Sequence, residues 1–249
     1  MKISIHPFYE YLSDYLCTLP ERFDTEGETI YAARNTIKVF TAPDGTTLNV
    51  KRYHPPRFFN RLVYSLGIRQ PKGLRAFSYP AILEARDIDT PAPVAYFEER
   101  HGGMLGYSYF ISVQCQGMRT LYDVGTMKTG YELLAEELGN FTAHMHEQQV
   151  LHRDYTPGNI LWRQVDLGVF SFVLVDTNRM RFGTVSQRRG CRNICRMWGP
   201  KQFTVLLAKH YALSRGFDVE DTVNLTLRYR ERFWKHFTRK HDVPFEVEY

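Results

Sequence analysis

Leu151-His152-Arg153-Asp154-Tyr155-Thr156-Pro157-Gly158-Asn159-Ile160-Leu161 is the stretch on which the reading of this chain turns. It sets His-Arg-Asp, four residues and then Asn between apolar flanks. Val150-Leu151 on one side and Ile160-Leu161-Trp162 on the other read as short buried strands, so a polar loop is held between two hydrophobic anchors. Pro157-Gly158 supplies the turn: Pro fixes one dihedral and Gly tolerates positive φ. The span from Asp154 to Asn159 lets one turn aim both side chains into one cleft. An Asp so placed can orient an acceptor hydroxyl and take its proton. An amide oxygen a short loop away can ligate the metal that carries nucleotide phosphates. The spacing is that of a phosphoryl-transfer catalytic loop; the bland alternative is a surface turn with chance charges.

Downstream, Leu161-Trp162 and Phe172-Val173-Leu174-Val175 are expected to form a hairpin across a loop holding Asp166 and Gly168. The hairpin ends in Asp176-Thr177-Asn178-Arg179. A carboxylate at the end of an apolar strand is costly near a core, so Asp176 reads as a metal ligand, with a turn-capping Asp as the alternative. Upstream, residues 119–149 read as helical, with Leu133, Leu134, Leu138, Phe141 and Met145 as a core-facing stripe. Residues 198–240 read as largely helical as well.

The first part of the chain alternates differently. Residues 1–27 read as a lead-in with a short helix lined by Tyr9, Tyr11, Leu12, Tyr15 and Leu16. Thr29-Ile30-Tyr31, Ile37-Lys38-Val39-Phe40 and Leu48–Tyr53 then read as strands. The turn Ala32-Ala33-Arg34-Asn35 joins the first two, and Asp44-Gly45 signals a tight hairpin between the next two. Lys51 sits on the third strand, where an inward ammonium is costly unless paired. A phosphate would pair it; Lys38 is the competitor, and a solvent-facing Lys on an edge strand the bland reading. Residues 76–86 read as a helix starting near Pro80, ended by Asp89-Thr90-Pro91-Ala92-Pro93. Val94–Phe97 and Tyr107–Val113 add two strands around His101-Gly102-Gly103. Gln114-Cys115-Gln116-Gly117 follows as a hinge whose backbone could bond an adenine.

The chain's 249 residues are 43% hydrophobic and 14% aromatic, enough for a real core, which excludes a disordered chain. Its net charge of +5 suits phosphate ligands, an anionic membrane or nucleic acid without choosing among them. No nucleic-acid motif accompanies the charge, so no nucleic-acid partner is expected. Two basic and aromatic stretches, Arg57 to Arg75 and Arg228 to Lys240, are expected to give peripheral contact with an anionic membrane. Cys17 and Cys115 stand alone. Cys191 and Cys195 would share one helix face and complete no zinc set, so all four are expected as reduced thiols, the last two in packing roles. No run of eighteen apolar residues and no secretion signal at residues 1–7 is read, and a cytoplasmic location follows as the expectation.

Val50-Lys51, Thr90-Pro91-Ala92-Pro93, the loop from His152 to Leu161, and Asp176-Thr177-Asn178-Arg179 together resemble the lipopolysaccharide kinase family. These are Kdo and heptose kinases within the protein-kinase-like superfamily that phosphorylate sugars of the lipid A–core region. The resemblance spans about residues 27 to 200. It implies that Lys51 holds the α and β phosphates of ATP, that Asp154 is the catalytic base beside Arg153, and that Asn159 and Asp176 bind Mg2+. It also implies a helix Glu paired with Lys51, at a position that falls near Ser78. The helix's acidic residue, Glu84, lies six positions on and on a different face. Either a local shift brings Glu84 in, or that Lys does without the family's carboxylate.

The resulting expectation is an α+β, two-lobed, protein-kinase-like fold. Residues 1–113 would form a strand-rich lobe serving as nucleotide lid, residues 114–118 a hinge, and residues 119–249 a helical lobe with the catalytic loop. The expected activity is ATP-dependent phosphorylation of a lipopolysaccharide core sugar at the inner face of the cytoplasmic membrane. A protein kinase or other small-molecule kinase is the alternative among enzymes. An inactive nucleotide-binding pseudokinase is the alternative outside them.

Overall fold

The alternating apolar pattern between residues 28 and 53 folds as expected into consecutive antiparallel strands. The computed structural model describes residues 1–56 and 58–248. The chain divides into one unit of Met1–Glu84 with Thr90–Gln116, and another of Ala85–Asp89 with the chain from Gly117 onward. In the first, β1 (Lys2–Ile5), β2 (Glu28–Ala32), β3 (Asn35–Thr41), β4 (Thr47–Tyr53), β5 (Pro93–His101) and β6 (Met104–Val113) form one sheet. Its order is β1-β5-β6-β4-β3-β2, antiparallel throughout. The β5–β6 turn needs positive φ at both central positions, and Gly102 and Gly103 supply it at +57° and +79°. At the β3–β4 turn the Asp44 carboxylate accepts from the amide and hydroxyl of Thr46.

One face of this sheet carries Leu48, Val50, Ala95, Phe97 and Ile111, packed with Leu12, Leu16, Leu19 and Phe23. The last four come from the segment leading into, along and just past α1 (Ser13–Arg22). The expectation of a mere lead-in is corrected here. Residues 1–27 supply an edge strand and a large share of the core. A four-residue strand and a helix interrupted by Pro20 carry too little periodicity to announce that. Of the expected stripe, Tyr11 is exposed and donates to Asp44.

The other face carries Tyr96, whose ring lies under Gly73; a Cβ there would come within 2.7 Å of it. Gly73 belongs to α3 (Lys72–Glu84), which begins well before Pro80. The expected start near Pro80 is therefore wrong. The ring removes one helical donor, and Pro80 is instead buried inside the helix. The short α2 (Phe58–Ser65) precedes it. In the expected hinge, the Gln114 amide donates to Thr47 O at 2.9 Å and Gln116 Nε2 to Thr47 Oγ1 at 2.9 Å, so these residues are fastened to β4.

The second unit contains β7 (Arg119–Thr120), β8 (Val150–His152), β9 (Ile160–Asp166), β10 (Val169–Leu174) and β11 (Met180–Phe182). Its helices are α4 (Glu132–Glu147), α5 (Gln187–Ile194), α6 (Lys201–Arg215) and α7 (Val219–Phe237). The helix expected over 119–149 is broken into a short 3-10 turn, Leu121–Thr126, and α4. Residues 119–120 pair with β9, and Gly130 at φ +80° stops a continuous helix. Leu134, Leu138 and Met145 are buried as expected, but Leu133 is exposed. Gly139 lets α4 and α6 approach closely: a Cβ there would sit 2.8 Å from Leu207 O. Cys191 and Cys195 are buried, and burial pushes the Cys195 thiol up to about 11.

The basic stretch on α7 is not a uniform charged face. Arg230 is 1% exposed and donates to the carbonyls of Met197 and Gly199 at 3.2 and 2.8 Å. Arg75 of the first stretch is buried too, and Arg57 lies outside the described residues. Among the described residues, no helix is long and apolar enough to cross a membrane.

Candidate active site

The loop after β8 is fixed by short-range pairing and by buried polar contacts. β8 pairs with β11, with His152 opposite Met180, so the chain just before β11 runs beside the loop. The Arg153 amide donates to Arg179 O at 3.2 Å. That register carries the Arg179 guanidinium to Asp154, with Nη1 2.9 Å from Oδ2. The sequence gives Arg179 no partner; the strand register brings it to Asp154.

His152 is fully buried. Its Nδ1 accepts from the Asp154 amide at 3.1 Å, so Nε2 carries the proton and donates to Val175 O at 3.0 Å. Burial pushes the imidazole's pKa down, which favours this neutral form. One ring thus ties the loop to the strand end that precedes Asp176. The Val175 amide adds a bond to Asn159 O at 3.1 Å.

Asn159 donates through Nδ2 to Asp154 O at 2.8 Å and to Thr156 Oγ1 at 3.3 Å. Its donor side is therefore used inside the loop, and its Oδ1 is the atom left for a cation. Asp176 stands in the left-handed region, φ 55° and ψ 41°, which is uncommon outside Gly but open to Asp and Asn. Its Oδ1 accepts from Asn178 Nδ2 at 2.6 Å. A carboxylate and an amide oxygen are hard donors suited to Mg2+, which uses one or two carboxylates and completes its shell with water and phosphate oxygens. Among the described residues, no three His, Cys, Asp or Glu side chains gather into a metal cage.

A second layer holds the loop from behind. His146 on α4 is buried, with Nδ1 3.0 Å from Tyr211 Oη and Nε2 3.2 Å from Asn193 Oδ1. Asn193 Nδ2 donates to His152 O at 3.0 Å, closing the chain on the loop after β8. Burial drives the His146 pKa down to about 3. Tyr155 is fully buried, its hydroxyl 2.7 Å from Thr142 Oγ1, and burial raises its pKa. By contrast Arg153 is exposed, and its guanidinium has no hydrogen bond or ion pair among the described residues. No sequence pattern announced the His146–Asn193 chain, because its members come from four elements, α4, β8, α5 and α6.

In the first unit, β4 is an interior strand, so Lys51 is not on an edge. It pairs with Ile37 and Phe110, on the sheet face that α3 covers, and its ammonium lies 5.1 Å from the Tyr53 ring centroid. The competitor Lys38 is on the opposite face and donates to Glu26 O at 2.8 Å. Glu84 is the exposed last residue of α3, and Ser78 is exposed as well.

The family model described as Lipopolysaccharide kinase (Kdo/WaaP) family matches residues 28–204. The chain belongs to this family. It is a phosphotransferase that acts on hydroxyl groups. Its fold is protein-kinase-like: it is similar to the structure of WaaP in complex with acyl carrier protein, at 14% identity and TM-score 0.62, covering 95% of this chain and 99% of that one. It is also similar to amicoumacin kinase hAmiN in complex with AMP-PNP, Ca2+ and Ami, at 13% identity and TM-score 0.56, covering 95% and 96%. Comparison with curated protein sequences gives no match.

Proposed function

We propose that this kinase transfers the γ-phosphate of ATP to a hydroxyl of a lipopolysaccharide core sugar, Kdo or heptose, at an anionic membrane surface. Asp154 orients the hydroxyl and takes its proton. Arg179 holds one carboxylate oxygen of Asp154, leaving the other for the acceptor. Asn159 Oδ1 and Asp176 would hold Mg2+, which would neutralise charge on the phosphates, and Lys51 would pair with the α and β phosphates. Arg153 offers an exposed guanidinium beside the base, suited to an anionic group on the acceptor. Residues 1–113 act as the nucleotide-covering part and residues 119–249 as the part that carries the base.

The observation that carries this reading is the closed loop geometry: Asn159 bonds the Asp154 carbonyl at 2.8 Å while Arg179 holds the Asp154 carboxylate at 2.9 Å. Both side chains are held by one turn, which supports the reading of a base with an amide ligand beside it. Family membership supports the sugar acceptor, and the nucleotide and cation in the amicoumacin kinase complex support ATP with a divalent metal. The test is transfer of labelled phosphate from ATP with Mg2+ into lipopolysaccharide extract, beside casein and free-sugar controls. Label in the lipopolysaccharide is expected. Label in casein alone would move the reading to a protein kinase. Nucleotide binding without transfer to any acceptor would leave the inactive alternative.

A further inference from the structure

Between Arg52 and Glu84 the sequence contains no Asp or Glu, yet it contains Arg57, Arg61, Arg69, Lys72 and Arg75. The helix α2 and the turn after it lie in that stretch and turn large apolar side chains outward. Phe59 is 83% exposed, Leu62 42%, Leu66 65% and Ile68 73%. At about 100° per residue, Phe59, Leu62 and Leu66 fall within an arc of roughly 60°. The Leu66 amide bonds Leu62 O at 2.9 Å, extending the turn until Gly67 closes it at φ +74°.

The opposite side of the helix is fastened down. Tyr64 is buried, and Arg61 Nε donates to Leu105 O at 2.7 Å. Ser65 Oγ accepts from the Leu105 amide at 2.9 Å and donates to Arg61 O at 2.7 Å. A helix clamped on one side with an uncovered apolar stripe on the other marks an interaction surface, since scattered single apolar residues are the ordinary case. The charge around the stripe selects the partner. Arg69 is exposed beside it, and no carboxylate in the stretch opposes an anionic surface.

Two other surfaces lack one half of this combination. Among the described residues, α7 exposes no large apolar side chain. The tip of the β9–β10 hairpin exposes Val165, Leu167 and Val169, but Asp166 sits among them.

We propose that Phe59 to Arg69 is the surface on which the protein lies against an anionic lipid bilayer. Phe59, Leu62, Leu66 and Ile68 enter the acyl boundary and Arg69 meets the headgroup phosphates. The inference takes from the proposed function only that the acceptor is a lipid-borne sugar.

The test is flotation of the full chain with vesicles of phosphatidylethanolamine and phosphatidylglycerol, and with neutral phosphatidylcholine vesicles. The wild type is expected to float with the anionic vesicles, less at physiological than at low salt. Phe59→Ser with Leu66→Ser and Ile68→Ser should weaken this about tenfold or more with the melting temperature unchanged. Phe59→Leu with Leu66→Met should keep it, as should Arg232→Gln with Lys235→Gln on α7. Phosphate transfer to a detergent-dispersed acceptor should be the same in the serine variant. That readout separates failure of this surface from failure of the kinase reading. Equal flotation of the serine variant overturns the proposal, as does wild type that stays unbound at low salt. A wild-type dimer that the serine substitutions convert to monomer, without vesicle binding, would assign the stripe to a second copy.

Discussion

The catalytic loop and the β2–β3 turn are both short connections between strands, and they are built in opposite ways. The loop is backed by His152, Asn193, His146 and Tyr211, a chain of buried groups that bond one another. The turn is Ala33-Arg34, fully exposed and free of glycine, and β2 is exposed at every position. A group that must hold a proton acceptor in one geometry needs neighbours that cannot move. On the proposed function the turn covers phosphates, where one exposed cation, Arg34, can act without buried support. Damage to the loop should therefore alter chemistry or stability, and damage to the turn should alter only nucleotide affinity.

Replacing Asp154 by Asn makes the sharpest cut in that contrast. Transfer should fall about 10³-fold, since a positioned base contributes roughly 10²–10⁴. The fold should survive, because the ion pair it removes joins side chains 32% and 43% exposed, and such pairs add little stability. Turnover measured with folding checked by circular dichroism decides it, and near-normal turnover would take the base away from Asp154. Asp176→Asn comes next. It keeps a residue that tolerates the left-handed backbone while removing the charge, so the Mg2+-dependent part of nucleotide affinity should fall about 10²-fold. Calorimetry with and without Mg2+ reads this, and an unchanged metal dependence would place the cation elsewhere.

His146→Leu tests the support behind the loop. It takes the partner from Asn193 Oδ1 and one of two from the Tyr211 hydroxyl, which still accepts from Arg215 Nη1, at a cost of about 2 kcal/mol in unfolding free energy. It should also change the pH profile. The folded pKa of His146, about 3, lies below the ordinary 6.5, so between those values the unfolded chain takes up a proton that the folded chain refuses. Stability is complete above pH 6.5 and is lost as pH falls, at up to about 1.4 kcal/mol per pH unit from this residue. Urea midpoints at several pH values should show a shallower acid slope in the variant, and an unchanged slope would remove His146 from the account. His152, also depressed by burial, keeps a residual slope of the same sign. The smallest effect is expected at the turn. Arg34→Gln should raise the KM for ATP a few-fold, roughly the worth of one exposed charge, and leave both kcat and stability unchanged. A loss of stability there would erase the contrast between the two regions.

Much of this molecule was legible because it is local. The loop from Leu151 to Leu161, the hairpin that ends at Asp176, and the strands around Asp44-Gly45 and Gly102-Gly103 are set by residues within a few positions of one another. Alternation and turn chemistry write such elements directly into the sequence. Less legible were β1 and α1, because a four-residue strand and a helix holding Pro20 show almost no period until a sheet is there to receive them. Wholly hidden were contacts across long separations. Arg179 meets Asp154 from 25 positions away, and His146 meets Tyr211 from 65. Arg230, read as one cation among several, is buried against Met197 and Gly199. Residues close together in the chain carry the candidate chemistry, so the sequence names them. The tertiary structure alone decided which of them are held, and by what, because burial and hydrogen-bond partners depend on segments that only the folded chain brings together.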